Sequence, residues 1–215
     1  MEAQADMGDV NGKKLVLRIV GEIEKNKAWL SEIDGAVGDG DHGVNMAKGF
    51  SMVRDGIDGE PDSLSDLLRY TGMTLLTHIG GAMGPIYGTF FMRMGKAVEG
   101  KQTVSAEDVS AMLSQALEGV KKRGGAEEGD KTLVDTLAAA SRGVDDAIKG
   151  GAGFQKAIDS MVESAREGME KTRDMVAKKG RSSRLGERSK GTIDAGAASC
   201  FIILRAMGET MKESL

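Results

Sequence analysis

Apolar residues recur every three to four positions through nearly the whole chain, and no stretch alternates as a half-buried strand would. This period restricts the fold to packed amphipathic helices. Leu15, Val16, Ile19, Val20, Ile23, Trp29 and Leu30 predict a first helix over residues 12–33. Val44, Met46, Ala47, Phe50 and Val53 give a second, ended by the Gly- and Pro-containing turn at 55–61. Ser63 can cap a third over 64–79, with Leu67, Leu68, Leu75 and Leu76 inward. A fourth starts around Pro85 and runs to Val98, and Ser105 to Asp108 resembles a capping box, with Asp where Glu or Gln is usual, for a fifth carrying Val109, Met112, Leu113, Ala116, Leu117 and Val120. Asp130-Lys131-Thr132 opens a sixth, a seventh runs from Phe154 through Met175 and Val176, and Asp194 starts the last, carried inward by Phe201 to Leu204. The expectation is an all-α, single domain over 1–215 with about eight helices, residues 1–11 forming a disordered tail. No linker is long enough to divide it.

Composition narrows the class. Fourteen Met against two Pro suit a helical interior that adapts its packing. A net charge of −4 offers no general surface for nucleic acid, so a polyanion would have to be met locally. The lone Cys200, in apolar surroundings, points to a reducing compartment and a core position rather than a nucleophile. Neither a signal-peptide core nor a run of transmembrane length is present, so the expected location is the cytoplasm, with no membrane association.

Between the first two helices lies Asp34-Gly-Ala-Val-Gly38-Asp39-Gly40-Asp41-His42-Gly43-Val44-Asn45. Its three carboxylates would repel one another unless a hard cation neutralised them, and its glycines let the backbone close around a ligand. The dinucleotide fingerprint fits in letters, through Gly38, Gly40 and Gly43, but helix rather than strand precedes it, and two aspartates would repel a bare pyrophosphate. An EF-hand would place Val44 and Phe50 where glycine and glutamate are required. Zn²⁺ is disfavoured, since only His42 and His78 supply nitrogen and Cys200 is distant in sequence. A Mg²⁺ loop able to take phosphate stands against the bland alternative of a charged surface turn.

Three further junctions are unusual: Gly80-Gly81-Ala82-Met83-Gly84-Pro85, residues 124–132, and the basic segment 181–196 with Arg181, Arg184, Arg188 and Lys190. Residues 124–132 nearly spell a phosphate-binding P-loop, but the spacing is one residue too long and helix precedes it. Lys131 reads more readily as a solvated lysine at a helix start than as a phosphate ligand. In an up-and-down packing, all four junctions fall at one rim. Metal-binding carboxylates, helix N-termini and an arginine loop would meet there, the equipment for phosphoryl transfer from a nucleotide.

Asp34-x4-Asp39-x-Asp41-His-Gly-x-Asn45-Met, Thr71-Gly-Met-Thr74, Gly80-Gly81-Ala-x-Gly84-Pro, Gly88-Thr-Phe-Phe91, Gly129-Asp-Lys-Thr132, Lys179-Gly-Arg181 and Leu185-Gly-Glu-Arg-Ser189 together resemble the nucleotide-binding L subunit family of dihydroxyacetone kinases, DhaL. The resemblance implies a barrel of eight antiparallel helices with ATP or ADP at one rim under a lid. It implies that Asp34, Asp39 and Asp41 hold two Mg²⁺ ions. It also implies that His42, Gly43, Val44, Asn45, Ala82, Met83 and Gly124 contact the nucleotide, with Leu133 against the base. Arg181 and Asp194, Ala195 and Gly196 would close the site, Arg181 and the metal cluster stabilising transition-state charge. Met83 stands where many relatives have serine, and Ala195 replaces a common proline, which implies a lost hydroxyl contact and a looser lid hinge. The ketose would sit on a separate DhaK-type subunit, so no catalytic residue is assigned to this chain itself. Dihydroxyacetone is the first candidate substrate and erythrulose a second. The resemblance covers both ATP-dependent enzymes and forms that keep ADP bound and are recharged by a DhaM-type phosphotransferase protein. A homodimer is compatible with it. A fatty-acid-kinase-like module and a non-catalytic scaffold are the more distant alternatives.

Overall fold

The computed structural model describes residues 7–215, and nine α-helices lie among them. They are α1 (Gly12–Lys25), α2 (Lys27–Val37), α3 (His42–Gly56), α4 (Leu64–His78), α5 (Met83–Ala97), α6 (Ala106–Gly124), α7 (Leu133–Lys149), α8 (Phe154–Lys171) and α9 (Ala195–Lys212). From α3 onward each helix packs against the next, α1 packs on α3, and α9 returns to α1, so eight helices close a ring. The short α2 lies against α3 and α9. This is the expected helical barrel. Its interior is apolar: Leu15, Ile19, Phe50, Phe90, Met112, Ile158, Ile203 and Met207 are wholly buried. Phe91 meets Phe50 and Phe90 edge to face, with ring centroids 5.8 and 5.0 Å away.

Local chemistry sets the helix ends. Ser105 and Asp108 form a reciprocal capping box at α6, and Thr132 with Asp135 does the same at α7. Gly125 ends α6 in the left-handed region, at φ 60°, which explains a glycine there. Along the α4–α5 contact, a Cβ on Gly72 would lie 2.7 Å from the Gly88 carbonyl oxygen, so the two backbones approach through glycine.

Several expected boundaries shift. The predicted helix over 12–33 is two helices, because the Asn26 side-chain amide donates to the Glu22 carbonyl at 2.7 Å and competes with the backbone there. α2 also runs on past the expected end to Val37, so Asp34 sits in its last turns rather than beyond a helix. The seventh predicted helix stops at Lys171, short of Met175 and Val176: buried Thr172 donates to the Met169 carbonyl at 2.6 Å and opens a 3₁₀ turn over Thr172–Asp174. Of the tail expected over 1–11, residues 1–6 lie outside the described residues. Met7–Gly8 pairs antiparallel with Val104–Ser105, Val10 is buried and Asn11 caps α1, so residues 7–11 are tied to the barrel. That two-residue ladder was not expected; it is too short to show alternation.

Candidate functional site

The connections α2–α3, α4–α5, α6–α7 and α8–α9 share one end of the ring, and together they enclose a cavity of about 510 Å³. All four singled-out junctions contribute to its wall.

Asp34, Asp39 and Asp41 come from the first. Each offers one carboxylate oxygen, and the three lie within 4.8 Å of one another. Asp34 is held in place because one of its oxygens accepts from the His42 backbone N–H at 3.2 Å. Three hard oxygen donors with no thiolate or free imidazole fit Mg²⁺, which favours carboxylates and keeps several waters. The His42 ring is turned away from this cluster. It is 8 % exposed, and its Nε2 lies 2.8 Å from Ser199 Oγ, which lies 2.5 Å from the Tyr87 hydroxyl. Burial lowers the His42 pKa to about 4, against a smaller pull from Asp34, so near neutrality it is an uncharged strut between α3, α5 and α9.

From the second junction Ala82 and Met83 line the cavity, with Tyr87 one turn further on. From the third come Lys131, Thr132 and Leu133. Lys131 is not the solvated residue that its sequence context suggests: it is 1 % exposed and the only described non-glycine residue at positive φ, 62°. Its ammonium donates to the carbonyls of Ser189, Thr192 and Met175 at 2.6, 2.7 and 3.3 Å. Burial lowers its pKa, with the Asp194 carboxylate pulling the other way.

The fourth junction forms a flap. Its 3₁₀ turns over Arg181–Ser189 follow the left-handed Gly180, and Arg181 reaches across to pair with Asp39. Asp194 then caps α9, accepting from the Ala197 N–H at 2.8 Å. Burial raises its pKa to about 6, opposed by N–H bonds from Ala197 and Gly196 and by Lys131. Ala195 is the buried first residue of α9, so the capping Asp194 fixes the helix start that a proline would favour.

Asn45, Ala195 and Gly196 also face the cavity, whereas Gly43, Val44 and Gly124 do not line it. Gly43 is buried against α2, Val44 is 48 % exposed, and Gly124 sits behind the lining residue Ile86. Sequence reasoning missed Tyr87, Ser199 and the burial of Lys131. The available signal was the position of Ser199 one turn after Ala195, on the same face of α9.

The DAK2 domain family matches residues 36–209. The chain is 40% identical over 189 residues to the ADP-binding subunit DhaL of PEP-dependent dihydroxyacetone kinase 1 from Listeria innocua serovar 6a, covering 87% of this chain and 89% of that one. It is 36% identical over 186 residues to the Escherichia coli K12 ADP-binding subunit DhaL of PEP-dependent dihydroxyacetone kinase, at 86% and 89% coverage. Its fold is shared by dihydroxyacetone kinase from C. freundii in complex with AMP-PNP and Mg²⁺, at TM-score 0.69 and 24% identity, over 97% of this chain and 36% of that one. No helix among the described residues is long and apolar enough to cross a membrane. The chain belongs to the DAK2 domain family, alongside the DhaL subunits of dihydroxyacetone kinases.

Proposed function

We propose that this chain is the nucleotide- and Mg²⁺-binding subunit of a short-chain ketose kinase, moving a phosphoryl group to a ketose held on a separate DhaK-type subunit. The observation that carries this reading is the meeting of three carboxylates, two glycine-rich helix starts and Arg181 in one cavity. Asp34, Asp39 and Asp41 would hold the metal, two ions in the fullest version. When bound, Mg²⁺ would neutralise phosphate charge and fix its orientation. The first turns of α3, at His42, Gly43, Val44 and Asn45, and of α5, at Ala82 and Met83, turn positive dipole ends toward that charge. Arg181 adds a cation from above, while Leu133, with Gly124 behind Ile86, supplies apolar surface for a base. Asp194, Ala195 and Gly196 close the remaining side.

The relatives that match along most of their own length are ADP-binding subunits, which favours an ADP-retaining subunit fed by a DhaM-type protein over one exchanging ATP. Dihydroxyacetone is the expected ketose. The cytoplasm is the expected location, in keeping with the single buried thiol of Cys200, whose pKa burial raises well above the ordinary value.

The test is thermal unfolding with ADP or ATP, with and without Mg²⁺. A ligand at 100 times its Kd stabilises the fold by about 2.7 kcal/mol. A shift that requires Mg²⁺ is expected, and no shift with either nucleotide would overturn the reading. Mass spectrometry of the purified protein separates the two modes of recharging, since retained ADP is expected only of the phosphotransferase-fed form.

A further inference from the structure

The flap enters and leaves the barrel through two segments that run side by side, 172–178 and 189–194. Between them the Gly191 N–H donates to the Arg173 carbonyl at 2.8 Å, the Asp194 N–H to Thr172 Oγ1 at 3.0 Å and the Ala177 N–H to Ser189 Oγ at 2.9 Å. Lys131 comes from a different junction and places its ammonium among carbonyls of both segments: Met175 on the way in, Ser189 and Thr192 on the way out. No carboxylate lies within ion-pair distance of it among the described residues. The charged groups around it are Asp194 and Asp174, opposed by Arg173.

A cation buried on three backbone carbonyls is an unusual use of lysine, since desolvation is costly and the flexible stem must be frozen. The left-handed backbone at Lys131 adds strain, stabilised by the capping box of Thr132 and Asp135 and by Asp135 accepting from the Gly129 N–H at 2.5 Å. A glycine at 131 would remove the strain but also the side chain. The conformation therefore serves to aim the ammonium.

We infer that Lys131 is a positioning residue that fastens the base of the flap, so that Arg181, the first residue of its 3₁₀ turns, is held over the acidic loop of the opposite junction. The Arg181–Asp39 pair is itself exposed, at 62 % and 39 %, and in solvent such a pair is too weak to hold a flap shut. The buried base has to do so. Lys131 thereby acts on phosphoryl transfer through Arg181, without touching the reacting groups.

Two measurements test this. The first is limited trypsin digestion of the free protein, reading cleavage after Arg184 and Arg188, which are exposed but need local opening to be cut. Replacing Lys131 with Met or Gln should speed this cleavage by roughly tenfold to a hundredfold, the effect of losing a charge-assisted bond at a buried site. Cleavage elsewhere should be unchanged. The second is a double-mutant cycle of Lys131→Met with Arg181→Gln in the kinase reconstituted with its ketose-binding subunit. Lys131→Met should lower kcat with the ketose KM unchanged, and on top of Arg181→Gln it should cost little more. This arm rests on the function proposed above; the digestion arm does not. Unchanged flap cleavage, or losses that multiply in the cycle, would overturn the assignment. Failure of both Lys131 variants to fold would make the residue a requirement of the whole barrel and overturn it equally.

Discussion

Asp41 occupies the N-cap position of α3 yet makes no capping bond with its side chain, so its carboxylate is spare for a ligand. Asp41→Asn should leave the helix intact and relieve repulsion among the three acids. Mg²⁺-dependent nucleotide binding should fall by roughly a hundredfold or more, as expected for loss of a direct ligand. Calorimetric titration reads the affinity and circular dichroism the helicity; a large loss of helicity would refute the division of labour. Asp194 has the opposite character, being half-buried and capping. Its folded pKa of about 6 lies above the ordinary aspartate value, so the folded state keeps a proton that the unfolded state releases. Its contribution to stability is full below about pH 4 and is lost as pH rises to about 6, beyond which it is flat. Asp194→Asn keeps an acceptor for the Ala197 N–H, and should gain on wild type by on the order of 3 kcal/mol across that window. Denaturant unfolding from pH 4 to 8 checks this, and a pH-independent difference would contradict it. The acidic trio was legible because charge density without counter-charge is visible in a sequence. The burial of Lys131 was not, because it depends on where residues 175, 189 and 192 return.

At the scale of helices, the 3.6-residue period located most of the barrel helices, since one face of each must be apolar to close the ring, while α5 and α9 were placed from Pro85 and Asp194 at their starts. What it could not show were the breaks at Asn26 and Thr172, where a side chain competes for a backbone carbonyl while the apolar period continues past it. The joint between α2 and α3 gives a sharp test. A Cβ on Gly43 would lie 2.1 Å from the Lys27 carbonyl oxygen and 2.8 Å from the Ser31 nitrogen, both of them backbone atoms that cannot turn aside. Gly43→Ala should therefore destabilise by about 1–3 kcal/mol, the usual range for overpacking. Because α2 carries Asp34 and α3 follows Asp41, the same variant should also bind Mg²⁺ more weakly. Gly21, in the middle of α1, has open space where its Cβ would lie, so Gly21→Ala should stabilise by roughly 0.5–1 kcal/mol through helix propensity alone. Equal responses at the two glycines in urea unfolding would mean that the α2–α3 joint can open enough to admit a methyl group.

For the whole molecule, the decisive geometry is parity. In an up-and-down ring, alternate connections share an end, so four junctions each separated by a pair of helices could be assigned to one rim before any contact was known. The rule places them on that rim but says nothing of how far each reaches inward, which is why Gly124 and Val44 fall outside the cavity while Tyr87 lines it. The opposite rim is built differently. It carries the turns at 57–63, 98–105 and 150–153 and the Met7–Gly8 ladder with Val104–Ser105, and it gathers no comparable acidic trio among the described residues. A nucleotide bound as proposed would touch residues from all four site-side junctions, and its binding energy would add to the cost of opening any of them. Hydrogen exchange with ADP and Mg²⁺ should therefore slow together at 41–45, 82–86, 131–134 and 176–194, although these segments span most of the chain. The opposite rim should exchange as it does without ligand, since none of its turns lines the cavity. Protection confined to 41–45 would mean that metal binds without the flap and the other helix starts engaging the nucleotide, and slowing at both rims alike would indicate general stabilisation in place of a site at one end.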